Sequence, residues 1–337
     1  MSALASRILG TGIVTPHGTG LAFGKEPPPV SEITNPETGR KHFIATAPAA
    51  CSAHLGREPR LRRASTISLL AATAAQAAIL QSGITPGSRT ALVLGVSNGC
   101  AQYTRRFYEQ VVKTGANTAS PLLFPETVHN APASHLAAML KLDGATYTLI
   151  GDATVGLQAL HIANQLLTMG DADHVIVAAA EELDWILAEG HHLWRLTSST
   201  GTCRPYAGGG TLLAEGAAAA VLALDGGSAK LTTVPGQTIP SRRHATAALR
   251  ATISQLGDVQ PDHIVDGANG TWLDTAYAQC SPSDRRVSPK ANIGDAIGAS
   301  ALQQVVLAAT LHGRTLVPAL GWNQQAAAAL VESSVEN

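Results

Sequence analysis

The chain has 337 residues, a net charge of −1, 45% apolar residues and only 14% charged ones. That length allows a large core and about two domains or two repeated halves. The balanced charge gives no electrostatic case for nucleic-acid or membrane-surface binding, and no apolar run approaches the roughly 18 residues of a membrane-spanning helix. A low charged fraction implies much buried surface, within the chain or against another subunit. Met1 to Arg7 lacks a basic segment followed by an apolar core, so no signal peptide is expected. Cys51, Cys100, Cys203 and Cys280 are far apart and form no C-x-x-C. They read as free thiols of a cytoplasmic protein.

In chain order, Ile8 to Pro16 reads as an opening strand running into a turn. As a dinucleotide fingerprint, Gly10-Thr11-Gly12 lacks the third glycine and the following helix. Residues 23–60, with Pro27-Pro28-Pro29 and Asn35-Pro36, read as irregular. Helices are expected over Ser65–Gly83, Ala101–Thr114 and Pro132–Lys141, and a buried strand over Thr90–Leu94. Tyr147 to Ile150 is β-prone, and Gly151-Asp152-Ala153-Thr154-Val155-Gly156 is a tight turn. Leu157, Leu160, Ala163 and Leu167 then repeat at helical spacing up to Gly170. A polar segment after Glu182 leads to Cys203-Arg204-Pro205-Tyr206 and an apolar strand within residues 208–224. Asp225-Gly226-Gly227 marks a boundary. A second set follows from Lys230: a helix near 245–256, a strand at 263–265, a helix over 296–311, and strands near Val317 and over Ala326–Val331. Strands alternating with helices indicate α/β layering.

The turn at 151–156 is the position that matters for chemistry. A residue there lies near the free N–H groups of a helix N-terminus, where negative charge is stabilised. Ala153 holds that place, and a methyl group can do no chemistry.

This turn, with Gly170-Asp171-Ala172-Asp173 through Glu182, resembles the β-ketoacyl synthases of the thiolase superfamily. So do Ile8–Pro16, Cys203–Tyr206 and Glu215-Gly216. The resemblance spans nearly the whole chain. It implies a thiolase-like α/β fold of two pseudo-repeated halves in an αβαβα arrangement, at about 1–225 and a shortened 226–337. The family uses a cysteine in the turn and two histidines. By resemblance these fall at Ala153, at Asn269 in Gly267–Thr271, and at Asp295 in Lys290–Asp295. Lys290 is retained, and Lys290 with Asp295 reads as a polar pair filling the old cavity. All three catalytic positions are replaced, which argues against carbon–carbon bond formation. A decarboxylating variant would keep both histidines, so that reading fits poorly. The family's glycine-rich gate aligns with Gly321–Gln325, where most glycines are absent and Trp322 reads as core or pocket wall.

The resemblance therefore implies a non-catalytic subunit of the chain-length-factor type, paired as a heterodimer with an active ketosynthase. It implies no cofactor or metal. Phe124–Ser134 matches the segment that crosses the subunit interface, so Thr127, His129, Asn130, Pro132 and Ala133, with Trp322, are candidate tunnel or interface residues. Arg57, Arg60, Arg62 and Arg63 form a basic cluster. It reads as a solvated face, or as a docking patch for an acidic acyl carrier protein and its phosphopantetheine phosphate. Three alternatives stay open. One is an acyltransferase using Thr154 or another hydroxyl. Another is a hydrolase through Ser97, since Gly95-Val96-Ser97-Asn98-Gly99 satisfies G-x-S-x-G between a strand and a helix. The third is a homodimeric acyl-binding scaffold. His161, His191 and His192 have no metal-ligand spacing.

Overall fold

The structure is a computed structural model that describes residues 3–20, 26–280, 284–323 and 325–334. Strand β1 (Leu4–Thr15) opens the chain and pairs with the short β2 (Gly18–Thr19). A hairpin of β3 (Ser31–Thr34) and β4 (Lys41–Ala45) follows, then 3-10 turns and α1 (Thr66–Ser82). Next come β5 (Thr90–Val96), α2 (Ala101–Thr114), α3 (Ala131–Leu140) and β6 (Thr146–Ile150). Helix α4 (Val155–Met169), β7 (His174–Glu181), α5 (Trp185–Leu193), β8 (Leu213–Ala214) and β9 (Gly216–Ala223) complete this part. The chain then gives β10 (Ala229–Thr233), β11 (Gln237–Thr238), α6 (Ala245–Ser254), β12 (His263–Val265) and α7 (Leu273–Cys280). It ends with β13 (Arg286–Val287), α8 (Lys290–Ile293), α9 (Ser300–Ala308), β14 (Gly313–Gly321) and β15 (Gln325–Ser333).

The main sheet runs β13-β12-β14-β15-β10-β1-β9-β7-β5-β6. Take β1, β5, β6, β7 and β9 as one set and β10, β12, β13, β14 and β15 as another. Both sets then follow the order third-second-fourth-fifth-first. In each, the third and fourth strands pair parallel with the second, and the remaining pairs are antiparallel. The two first strands, β1 and β10, pair with each other and join the sets.

Side-chain alternation assigns the layers. Ala91 and Val93 of β5 face a core with Leu157 and Leu160 of α4 and Leu302 and Val305 of α9. Leu92, Leu94 and Val96 face the opposite core, with Ile67 and Leu70 of α1 and Leu136 of α3. Leu249 of α6 and Tyr277 of α7 cover the far set of strands with Leu320 and Ala326. The result is αβαβα, with α4 and α9 in the middle layer. Each fully buried leucine here contributes about 1.5–3 kcal/mol relative to an exposed one.

Gly10 and Gly12 serve packing and not a cofactor loop. A Cβ on either would strike the backbone of α1, at the carbonyls of Ala78 and Ala74. The stretch expected to be irregular holds the β3–β4 hairpin and 3-10 turns over Ala49–Arg57; its residues 23–25 lie outside the described residues. The polar segment after Glu182 contains α5, started by Asp184, whose side chain accepts from Ile186 N–H. The helix expected from Ala296 starts at Ser300, after a 3-10 turn at Ile297–Ala299.

Candidate functional site

Strand β6 ends at Ile150, and α4 begins at Val155. Between them the turn is held by Asp152. Its Oδ1 accepts from Thr154 N–H at 3.1 Å and from Thr154 Oγ1 at 3.0 Å, and its Oδ2 accepts from Asn323 N–H at 2.9 Å. Burial raises the Asp152 carboxyl, and those hydrogen bonds partly offset it. Gly321 closes the arrangement, because a Cβ there would land on the Asp152 carboxylate. The short β14–β15 connection is thus pinned to the turn. Gln325 Oε1 adds to this by accepting from Gln158 Nε2 at 3.0 Å and lying 3.0 Å from Thr154 Oγ1.

Ala153 is buried in this turn. Thr154, the adjacent hydroxyl, is wholly buried and enclosed by Asp152, Gln158 and Gln325. It has no open side for an acyl thioester.

The two residues that the resemblance aligns with the histidines meet directly. Asn269 Nδ2 donates to Asp295 Oδ2 at 2.8 Å, and Lys290 Nζ lies 2.9 Å from the same oxygen. Asp295 Oδ1 accepts from Ser300 Oγ at 2.9 Å and from Ile297 N–H at 3.1 Å. Asn269, Lys290 and Asp295 are all buried. Burial by itself works to raise the Asp295 carboxyl. The Lys290 ammonium and hydrogen bonds from Asn269, Lys290 and Ser300 outweigh it and hold the group below the usual carboxylate range. Asn269 is fixed from behind as well. Its N–H donates to Asp274 Oδ1 at 2.8 Å, and its Oδ1 accepts from Thr271 Oγ1 at 2.6 Å. This set pairs the Asp295 carboxylate with the Lys290 ammonium and satisfies itself internally, and neither Asn269 nor Asp295 carries an imidazole.

Trp322 is half-buried, edge-on to His191 with ring centroids 5.1 Å apart. It packs against both the Ile44–Leu213–Ile297 cluster and the α6–α7 cluster. None of the four cysteines lies in the 151–156 turn. Burial pushes the Cys100 and Cys203 thiols up to about 12, and raises Cys51 and Cys280 as well.

At Ser97 the strand–turn–helix context is present, but its donors are occupied. A hydrolase needs the N–H of the residue after its serine for the oxyanion. Here the N–H groups of Ser97 and Asn98 both donate to Glu181, at 3.2 and 3.0 Å, together with Asn98 Nδ2 at 2.9 Å. Glu181 was missed in the sequence. Glu182, which accepts from Ile67 and Gln102 N–H, and Glu215, which accepts from Ala47 and Leu183 N–H, were read only as parts of motifs and not as buried acceptors. All three are buried at the ends of β7 and β8.

The remaining candidates lie elsewhere. His129 and Asn130 are exposed, Thr127 is half-buried, and Pro132 and Ala133 are buried at the start of α3. His129 packs over Gly99 of the Ser97 turn. Exposed apolar side chains in the same part of the chain are Tyr108 and Val112 on α2, Leu122, Phe124 and Val128 on the following loop, and Tyr147 and Ile150 on the edge strand β6. Arg57, Arg60, Arg62 and Arg63 are exposed. The last three line a groove of about 550 Å³ with Ser134, His135 and Ala138 of α3. Among the described residues no group of histidine, cysteine and carboxylate side chains could hold a metal, and no helix is long and apolar enough to cross a membrane.

A duplicated αβαβα fold, with a reactive-type turn at the N-terminus of a central buried helix, defines a thiolase-fold protein. The model of the β-ketoacyl synthase N-terminal domain matches residues 25–225, and the chain belongs to the β-ketoacyl synthase family. Nodulation protein E of Rhizobium meliloti (strain 1021) is 25% identical over 254 residues, 69% of this chain and 63% of that protein. A second Rhizobium meliloti nodulation protein E is 26% identical, so the chain spans about two thirds or less of these curated relatives. Among solved structures, the ishigamide ketosynthase/chain length factor matches with TM-score 0.78 and 20% identity over 99% of both chains. A β-ketoacyl synthase from Burkholderia phymatum STM815 matches with TM-score 0.84 and 16% identity, over 98% of this chain and 100% of the other. At these identities the structural likeness shows the fold alone.

Proposed function

We propose that this chain is a non-catalytic ketosynthase-like subunit of the chain-length-factor type, which pairs with an active ketosynthase and shapes its acyl tunnel. The observation that carries the reading is the closed Lys290–Asp295–Asn269 network beside a turn whose nucleophile position is Ala153. Condensation needs a thiolate and two donors for the thioester oxygen, and none of the three is supplied. The enclosed Thr154 and the occupied N–H groups at Ser97 support this reading over an acyltransferase or a hydrolase.

The partner surface in this reading is the apolar face of α2, the 122–130 loop and the edge of β6. Edge strands with exposed apolar side chains invite pairing. The Arg60–Arg62–Arg63 groove is the docking site for an acidic acyl carrier protein or its phosphopantetheine phosphate. The pair works in the cytoplasm on polyketide, polyene or fatty-acid-like chains, and the half boundary falls near residue 225. The test is co-expression with a co-encoded ketosynthase that has an intact cysteine and two histidines. A stable 1:1 complex whose elongation activity requires both chains is expected. Full activity and unchanged product length without this chain would overturn the reading.

A further inference from the structure

The two sets of strands join at β1 and β10, and one row of residues crosses that junction. Arg7 of β1 lies directly opposite Lys230 of β10, Lys230 opposite Glu332 of β15, and Glu332 opposite Arg314 of β14. Side chains directly opposite on paired strands share a face. Ile8, Leu231 and Val331, the next residues along, face the middle layer, so the row points to the outer face of the sheet. Strand β1 runs in the same direction as β5 and β6, so Arg7, near its start, lies at the end of the sheet away from the 151–156 turn.

The charges in the row do not balance. Glu332 lies between Lys230 and Arg314, with Oε2 3.1 Å from Lys230 Nζ and Oε1 3.6 Å from Arg314 Nε. No carboxylate of the row separates Arg7 from Lys230, and like charges directly opposite each other repel. Arg7 is nevertheless held in place. Its Nε donates to the Gly226 carbonyl at 2.8 Å and its Nη2 to the Gly227 carbonyl at 2.8 Å. Gly227 has φ 65°, and a Cβ there would strike the Ile8 carbonyl, so only glycine lets this turn fold back onto β1. Among the described residues, Nη1 of Arg7 and both terminal nitrogens of Arg314 have no hydrogen-bond partner. Beside the row is a hollow of about 390 Å³, whose lining includes these four residues with Ser228 and Ser334. Three cations and one carboxylate leave an excess of two positive charges. The next carboxylate, Asp262, is offset by Arg285 at 3.9 Å.

We propose that this hollow binds a dianionic phosphate group, as a phosphate monoester or as free phosphate, with Arg7 and Lys230 as its main contacts. Such a group carries close to two negative charges at neutral pH, which matches the excess. Guanidinium N–H groups suit phosphate oxygens, and the bound anion would offset the repulsion between Arg7 and Lys230. The site uses no residue of the 151–156 turn, the Lys290–Asp295–Asn269 network or the Arg60–Arg62–Arg63 groove, so it stands apart from the function proposed above.

The probes are phenyl phosphate and inorganic phosphate, each followed by 31P spectra during titration with the full-length protein at constant ionic strength. A saturable change is expected, at a Kd on the order of millimolar, as suits so small a ligand. Tighter binding of phenyl phosphate assigns the site to an ester, and equal or weaker binding assigns it to free phosphate; either upholds the proposal. Phenyl sulfate, with a single charge, should displace the probe only weakly. Lys230→Gln should weaken binding about tenfold, the effect of losing one charged hydrogen-bond partner, and serves if Arg7→Gln does not fold. Glu332→Gln should tighten binding severalfold by removing the competing carboxylate, which a purely structural row would not do. Arg62→Ala, in the other basic groove, should leave the affinity unchanged. No saturable change, unchanged affinity in Lys230→Gln, weaker binding in Glu332→Gln, loss of binding in Arg62→Ala, or displacement by phenyl sulfate as effective as by phosphate would each overturn the proposal.

Discussion

Lys290 Nζ stands 2.9 Å from Asp295 Oδ2, and both side chains are buried between α8 and α9. A carboxylate and an ammonium so placed depend on each other, because removing one leaves the other uncompensated in a low dielectric. Lys290→Met should therefore cost about 3–5 kcal/mol, at the lower end since Asn269, Ser300 and Ile297 N–H still hold the carboxylate. Lys290→Met with Asp295→Leu should recover most of the loss. The sign with pH follows from the depressed Asp295 carboxyl. Its contribution is complete above the ordinary carboxylate pKa and is lost as pH falls through the folded value. In Lys290→Met, acid destabilisation should start at higher pH. Urea denaturation across pH checks both points; equal stability of wild type and single variant would contradict them.

Glu182 has the opposite sign. Burial pushes it up to about 7 from 4.5, against hydrogen bonds from Gln102 and Ile67 N–H that favour the ionised form. A raised folded pKa contributes stability that is present below the unfolded value and lost as pH rises through the folded one. Glu181 behaves alike. Glu182→Gln should flatten the decline in unfolding free energy between pH 5 and pH 8. An unchanged slope would assign that decline to other groups.

The motifs that could be read in the sequence are those where backbone geometry restricts the residue. Gly151–Gly156, Gly170–Glu182 and Glu215-Gly216 marked the turn, the β7 strand and the β9 entry, and Asn269 and Asp295 proved to be bonded neighbours. The β3–β4 hairpin escaped because its strands are short and carry Glu32, Thr34 and Lys41 on exposed faces, without an apolar alternation. Helix α5 escaped because only Ala188 and His191 are buried, too few to set a period. The acceptor role of Glu181, Glu182 and Glu215 escaped because glutamate is rarely buried, and local sequence does not reveal that backbone N–H groups converge on it. His161 read only as a histidine without metal-ligand spacing; its burial against Thr233 is a contact that only the fold creates.

Restoring the nucleophile should not restore chemistry. In Ala153→Cys the new thiol would stand at the N-terminus of α4, yet in the proposed reading the two histidine places are still held by the bonded Asn269 and Asp295. Ionised Asp295 repels a developing oxyanion, and residues of one catalytic unit act non-additively. The single variant, given acyl and malonyl carrier thioesters, should form no elongation product above a no-protein control. Product from it would show that the Lys290–Asp295–Asn269 network is no obstacle to condensation.

The edge of the sheet gives the test of pairing. Strand β6 has β5 on one side only, and it ends in Ile150, 63% exposed, beside Tyr147, 45% exposed. Leu122 and Phe124 are exposed apolar residues of the loop before α3, and Asn130 is exposed in the single chain. Because Ile150 and Asn130 face solvent, Ile150→Arg and Asn130→Arg should alter the stability of the isolated chain by about 0.5 kcal/mol or less. In a complex that buries this face, each arginine becomes an unpaired buried charge. Truncating or mischarging such a position typically costs 2 kcal/mol or more of binding, roughly a thirtyfold weaker complex. Gel filtration of the co-expressed pair should show a 1:1 complex for wild type and separated chains for both variants. Arg62→Ala, on the other groove, should leave the complex intact and weaken carrier-protein binding in a salt-dependent way. Complexes that survive both arginine substitutions would move the partner surface away from β6 and the 122–130 loop.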